Sequence, residues 1–138
     1  MLIVNLIVVF SADEEEVLMC RRVKDPYRGL LNFVGGKVEK GESSGDAAYR
    51  ELYEETGLSQ GDISLTHFLS LIHPLDATEI QVFAGKLHQS PELREELNPL
   101  VWVSRHADFQ DASRFAGGGQ TSYILDQLAY YRDQIFKD

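Results

Sequence analysis

The chain has 138 residues, 43% of them hydrophobic and 25% charged, which is room for one domain with a real core and no more. Its formal net charge of −9 argues against long nucleic acid as a partner, because that needs a basic footprint. A lone cysteine, Cys20, rules out an intramolecular disulfide. The apolar opening, residues 1–10, has no basic flank or small-residue cleavage site and is too short to span a bilayer, so the expectation is a buried strand in a cytoplasmic protein with no membrane partner.

Residues 3–10 and 17–23 are β-rich runs joined by a polar hairpin loop, residues 11–16. Arg21 and Arg22 close the second run. One reading makes them charges that protect an edge strand; the other makes them contacts to a substrate phosphate, which a guanidinium grips with two donors at once. Residues 25–29 form a turn-rich loop, and residues 30–34 a short strand that runs into Gly35-Gly36. Glycine suits a backbone that must approach a ligand closely. Asn32 carries both a donor and an acceptor, so it can pair with a base edge or satisfy a turn.

Residues 36–58 read GKVEKGESSGDAAYRELYEETGL and hold most of the chemistry. Ser43 and Ser44 are helix-start residues, and Ser43 with Asp46 has capping-box spacing with Asp in the Glu place. Gly57 sits where a helix ends in the left-handed conformation. Between them Glu51 shares a helical face with Glu54 and Glu55. Three such carboxylates repel one another unless a cation sits among them, and oxygen-only ligands suit Mg²⁺ or Mn²⁺. Arg50, four residues before Glu54, can neutralise or orient an acid. Taken alone, a Glu-rich helix is most often a solvated face.

These acids are not alone. Gly36 is followed after five residues by Glu42, then after seven by Arg50-Glu51-Leu52-x-Glu54-Glu55-x-Gly57-Leu58. Leaving aside the two leucines, seven fixed residues at set spacings (Gly36, Glu42, Arg50, Glu51, Glu54, Glu55 and Gly57) arise by chance roughly once in 10⁸ starting points. The stretch resembles the box that defines the Nudix hydrolases. That resemblance implies a backbone carbonyl just before the box, that of Gly35, as a metal ligand. It also places Asn32 where relatives that clean oxidised purine nucleotides carry an asparagine, although Val34 stands where many relatives have a proline.

Beyond the box, residues 62–73 and 78–88 read as a strand pair, with Ile80, Val82 and Ala84 alternating against Glu79, Gln81 and Phe83. His67, His73 and His88 lack metal-ligand spacing and read as ordinary strand residues. Pro74, sixteen residues past the box, resembles a marker of the ADP-ribose-cleaving Nudix branch. Residues 90–98 are acidic, with Glu92, Glu95 and Glu96 ahead of Pro99 and a strand over residues 100–104. By resemblance one further glutamate from this region assists the metal or acts as base; Glu96 matches best, then Glu95.

The glycines 117–119 lack the lysine and hydroxyl of a phosphate-binding P-loop. They fit a mobile loop from which Gln120 or Phe115 touches the base. Ile124, Leu128, Tyr131 and Ile135 form an apolar stripe on a closing helix over residues 121–137, whose tyrosines are expected to pack.

This order of elements gives a mixed sheet with helices on both faces. The resemblance implies the Nudix α/β/α sandwich as one domain over residues 1–138, and hydrolysis of a nucleoside diphosphate linked to another group. Mg²⁺, or Mn²⁺, would sit on Gly35, Glu51, Glu54, Glu55 and Glu96, with Glu51 or Glu96 as base. Arg50 orients, with Glu42 its partner, and Gly36, Glu42 and Gly57 serve structure. Substrate contacts fall to Arg21, Arg22, Asn32, Lys37 and Gln120. The first expectation is a nucleoside triphosphate, oxidised purine nucleotides among the candidates, cleaved to monophosphate and pyrophosphate by a monomer or homodimer. ADP-ribose or a nucleotide sugar is the alternative, and a non-catalytic nucleotide sensor the reading from another class.

Overall fold

The computed structural model describes residues 1–136. The first run becomes β1 (Leu2–Phe10), followed by β2 (Glu16–Arg21) and the two-residue β3 (Leu31–Asn32). The box supplies α1 (Ser44–Thr56); then come β4 (Thr66–His73), β5 (Thr78–Lys86), β6 (Leu100–Ser104), α2 (Gln120–Tyr130) and α3 (Arg132–Ile135). The six strands form one sheet in the order β3-β2-β1-β5-β4, with β6 added to β2. β1 and β5 are parallel from Leu2↔Thr78 to Phe10↔Lys86, and the other pairs are antiparallel. The mixed sheet follows from the crossover that α1 makes between β1 and β5.

Both faces of the sheet are covered, which gives the expected α/β/α layering. On one face Ile7, Val9, Leu18, Val34 and Phe83 pack against Ala48 and Leu52 of α1. On the other, Val8, Phe10, Met19, Val82 and Ala84 pack against Ile124 and Leu128 of α2 and Ile135 of α3. A strand buried on both sides reads as a near-continuous apolar run, as β1 does with Asn5 its one interruption. The same burial explains a departure in β5. Ile80, Val82 and Ala84 take one face and Phe83 the other, as the alternation predicts, but both faces are covered, so residues 81–85 are all buried, and the strand stops at Lys86.

Several expectations need correction. β2 is bordered by β1, β3 and β6, so the edge-strand reading of Arg21 and Arg22 falls, and Arg22 lies beyond the strand. Residues 30–34 form a strand only over Leu31–Asn32, with two isolated bridges besides, Val34 to Ile7 and Leu31 to Phe115. Residues 62–65 precede β4, and Asp62 there closes a turn by accepting the N–H of Ser59 at 2.8 Å. The closing helix starts at Gln120 and breaks at Tyr131 before α3; Lys137 lies outside the described residues. Tyr131 leaves the apolar stripe, and Tyr130 is 79% exposed, so these tyrosines do not pack in the core. Among the described residues no helix is long and apolar enough to cross a membrane.

Candidate active site

The site is built around α1 and the loop before it. Ser43 caps the helix by accepting the Asp46 N–H at 3.1 Å, as its spacing predicts. Gly57 ends it with φ +79° and donates to the Tyr53 carbonyl at 2.9 Å. This fixes the register in which Arg50, Glu51, Glu54 and Glu55 leave the helix.

Arg50 is the hub. Its Nε and Nη2 grip the two oxygens of Glu42 at 2.6 and 3.0 Å. Nη2 also donates to the Lys37 carbonyl at 3.0 Å, and Nη1 reaches Glu51 at 3.1 Å and Glu54 at 3.3 Å. One guanidinium thus ties the loop of residues 37–42 to the helix and orients two acids. The contact holds the Glu42 carboxyl below the usual range, helped by the Glu39 N–H, and makes Arg50 still harder to deprotonate.

The glycine pair lies against the acids. Gly35 has φ +148°, and a Cβ there would collide with the Asn5 carbonyl. Its N–H donates to Glu55 Oε2 at 2.7 Å. A Cβ on Gly36 would stand 2.5 Å from the Glu51 carboxylate, so only glycine leaves room for that acid. Burial pushes Glu55 up to about 7; the Gly35 N–H works against the shift, and the charges of Glu51, Glu96 and Glu54 add to it. Burial also raises Glu51, opposed by its bond to Arg50.

Glu51, Glu54, Glu55 and Glu96 line one cavity of about 210 Å³, together with Cys20 and Asn98. Glu96 therefore joins the box acids across more than forty residues of chain. Its neighbour Glu95 instead accepts the Leu100 N–H at 2.8 Å, which separates two glutamates the sequence left close. Cys20 is pushed up to about 11 by burial, so its thiol stays protonated.

The donor set fits a hard divalent cation: it is all oxygen, and Arg50 reaches Glu51 and Glu54 but has no bond to the half-buried Glu55. As the side chains stand, no three acidic, histidine or cysteine groups among the described residues converge on one point. A cation would have to gather them.

A second cleft, of about 330 Å³, lies on the sheet face that α2 covers. It brings together Asn32 and Gln120, eighty-eight residues apart, with Tyr27, His73 and Asp76 around them. Asn32 Oδ1 accepts the Phe33 N–H at 2.9 Å, and Gln120 Nε2 lies 3.5 Å from His73 Nε2. His73 is therefore a cleft residue and no mere strand residue, which lack of metal spacing did not foretell. Pro74 opens a 3-10 turn, Pro74–Asp76, that carries Asp76 to the rim.

Other candidates fall elsewhere. Arg21 Nη1 donates to the Gly29 carbonyl at 3.0 Å and Arg22 Nε to Pro26 at 2.6 Å, so both guanidiniums hold the loop of residues 22–29. Lys37 is exposed and contributes its carbonyl to Arg50. Phe115 is 2% exposed and packed in the core against the tilted ring of Phe109, which removes it as a base contact. Asn5 was missed: only its contact with the glycine pair distinguishes it from the other residues of an apolar strand.

Residues 1–115 match the family model of the NUDIX domain. The chain belongs to the Nudix family. It is 30% identical over 106 residues to a mouse oxidized purine nucleoside triphosphate hydrolase, an alignment spanning 75% of this chain and 68% of the mouse protein. It is 27% identical over 137 residues to the ADP-ribose pyrophosphatase of Methanocaldococcus jannaschii, covering 91% of this chain and 66% of that one. Its fold matches that of a Caenorhabditis elegans Ap4A hydrolase with a TM-score of 0.75, at 16% identity, over 96% of this chain and 99% of the other. As a Nudix protein it is a hydrolase acting on phosphoanhydride bonds.

Proposed function

We propose that this Nudix hydrolase cleaves a purine nucleoside triphosphate, with oxidised purines the preferred class, to monophosphate and pyrophosphate. The observation that carries this is the pairing of two cavities. Four carboxylates line one cavity, two of them resting on the glycine pair, and a separate cleft presents the amides of Asn32 and Gln120. The mouse relative acts, by its name, on oxidised purine triphosphates, and its 30% identity supports the choice.

Glu51, Glu54, Glu55 and Glu96, with the Gly35 carbonyl, would hold Mg²⁺ or Mn²⁺. When bound, the cation supplies Lewis acidity, offsetting diphosphate charge and lowering the pKa of a water. Glu51 is fixed between Arg50 and the Gly36 backbone, which suits a ligand that must not move. Glu96 reaches the cavity from an exposed loop, so it is the group we assign to take the proton and pass it to solvent. Arg50 orients and touches no substrate. Asn32 and Gln120 each bring an amide to the base edge.

ADP-ribose cleavage is the second reading, favoured by the archaeal relative whose alignment spans 91% of this chain. Product analysis in Mg²⁺ with 8-oxo-dGTP, dGTP and ADP-ribose decides. Monophosphate and pyrophosphate from 8-oxo-dGTP, at kcat/KM above roughly 10⁴ M⁻¹s⁻¹, supports the first reading. AMP and ribose phosphate as the faster products replace it with the second. Tight binding of a nucleotide without turnover refutes both.

A further inference from the structure

Asn5 lies in the middle of β1 at 1% exposure, on the face where its neighbours Ile7 and Val9 are apolar. A buried amide in such a place is kept for its hydrogen bonds. Its Oδ1 accepts the Gly36 N–H at 3.0 Å, and its own backbone N–H donates to the Gly36 carbonyl at 2.8 Å. Its carbonyl packs against Gly35 closely enough to exclude any side chain there. One residue of β1 therefore fixes both glycines. Those glycines fix the acids in turn, Gly35 through its N–H to Glu55 and Gly36 through the Glu51 carboxylate that rests on it.

The amide has capacity left over. Asn5 Nδ2 is buried without a partner, and the other such atom among the described residues is Gln81 Oε1. Gln81 is the rung partner of Asn5 in the parallel β1–β5 ladder, so their side chains leave the sheet on the same face. The first atom is a donor and the second an acceptor. Gln81 Nε2 is itself engaged, donating to Glu79 at 2.8 Å.

We infer that Asn5, backed by Gln81, is the positioning residue that sets where the Gly35-Gly36 backbone meets the catalytic acids. The two orphaned groups are a complementary donor and acceptor on facing rungs, and their pairing would complete a chain Glu79–Gln81–Asn5–Gly36 across the sheet. This rests on the reading of Glu55 and its neighbours as the catalytic centre. Outer partners of this kind typically govern 10–100-fold in metal affinity or activity.

The test compares Asn5→Ala, Gln81→Met and Glu55→Gln with the parent. Asn5→Ala is expected to lower kcat about 10–100-fold and raise half-saturating Mg²⁺ by a similar factor, with KM within about 3-fold. In metal-free protein, amide exchange at Gly35 and Gly36 should quicken at least about tenfold, a readout independent of turnover. Gln81→Met, which keeps the bond to Gly36, should move the same quantities in the same direction by less.

Should Asn5→Ala fail to fold, Gln81→Met decides: unchanged Mg²⁺ dependence and unchanged glycine exchange overturn the inference. So does a folded Asn5→Ala with parental kcat and exchange while Glu55→Gln is inactive, and in that case the catalytic centre stands. A Glu55→Gln protein with near-parental turnover overturns the centre itself, and the inference with it.

Discussion

Replacing Glu55 by glutamine should inactivate the enzyme and stabilise the metal-free fold. The carboxyl is raised from an ordinary 4.5 to about 7, chiefly by burial and then by the neighbouring acids. Below pH 4.5 both the folded and the unfolded chain hold this proton, and the residue costs nothing. Between pH 4.5 and 7 the unfolded chain releases it first, so stability falls as pH rises, and above 7 the whole cost is present. At about 1.4 kcal/mol per tenfold change in proton affinity, the gap corresponds to about 3 kcal/mol as a ceiling.

Glutamine carries no charge and keeps an oxygen to accept the Gly35 N–H. Metal-free Glu55→Gln should therefore melt above the parent at pH 8, by up to about 10 °C for a chain of this size. The difference should shrink towards zero at pH 4.5. Mg²⁺ should reverse the order, because the parent, with its full ligand set, gains more from binding it. Thermal melts in chelator and in Mg²⁺, taken from pH 4.5 to 8, measure all of this. A metal-free parent as stable as the variant at pH 8 would show that Glu55 bears no uncompensated charge, and the case for a cation beside it would fail.

The other predictions concern the frame around that acid. Gly36→Ala puts a methyl 2.5 Å from the Glu51 carboxylate, which must retreat by about 1 Å; turnover should fall about 100-fold in steady-state assays, and a fall of less than threefold would refute the packing argument. Arg50→Lys cannot hold both oxygens of Glu42 while reaching Glu51, so kcat should drop roughly 10–100-fold with a modest loss in Tm; full activity would mean that any cation serves there. Asn32→Ala and Gln120→Ala should each raise KM for the preferred nucleotide about tenfold and leave kcat nearly untouched. An unchanged KM in both would place the base somewhere other than this cleft.

Much of the site was legible because its signals are local. Ser43, Gly57 and the spacing of Arg50, Glu51, Glu54 and Glu55 all fall within one helix, where sequence distance converts directly into direction. Glu42 lies before that helix, and its pairing with Arg50 was legible through the resemblance to the Nudix box. What was lost depends on chain crossing chain. Asn5 looks like one polar residue in an apolar strand until the glycine pair lies against it. His73 and Asp76 become cleft residues only because β4, the turn after it and the start of α2 meet at one edge. The arginines of residues 21 and 22 have the right chemistry for phosphate, but a loop with carbonyls close at hand engages them first.

The distribution of charge gives the separate pieces a common cause. Five carboxylates, Glu42, Glu51, Glu54, Glu55 and Glu96, gather around a single guanidinium that is bonded to only three of them. Arg50 neutralises the outer part of the group, where Glu42 and the loop need to be held, and leaves the inner part, Glu55 with Glu96, in deficit. A fold selected for stability alone would place a second cation or an apolar residue there, since an unmatched buried carboxylate is costly. Retaining the deficit makes sense where a divalent ion and its phosphate ligand complete the balance during each cycle. On the proposed reading it also explains how a chain with a net charge of −9 could take an anionic substrate, because the ion that would offset the anhydride's charge would also admit it.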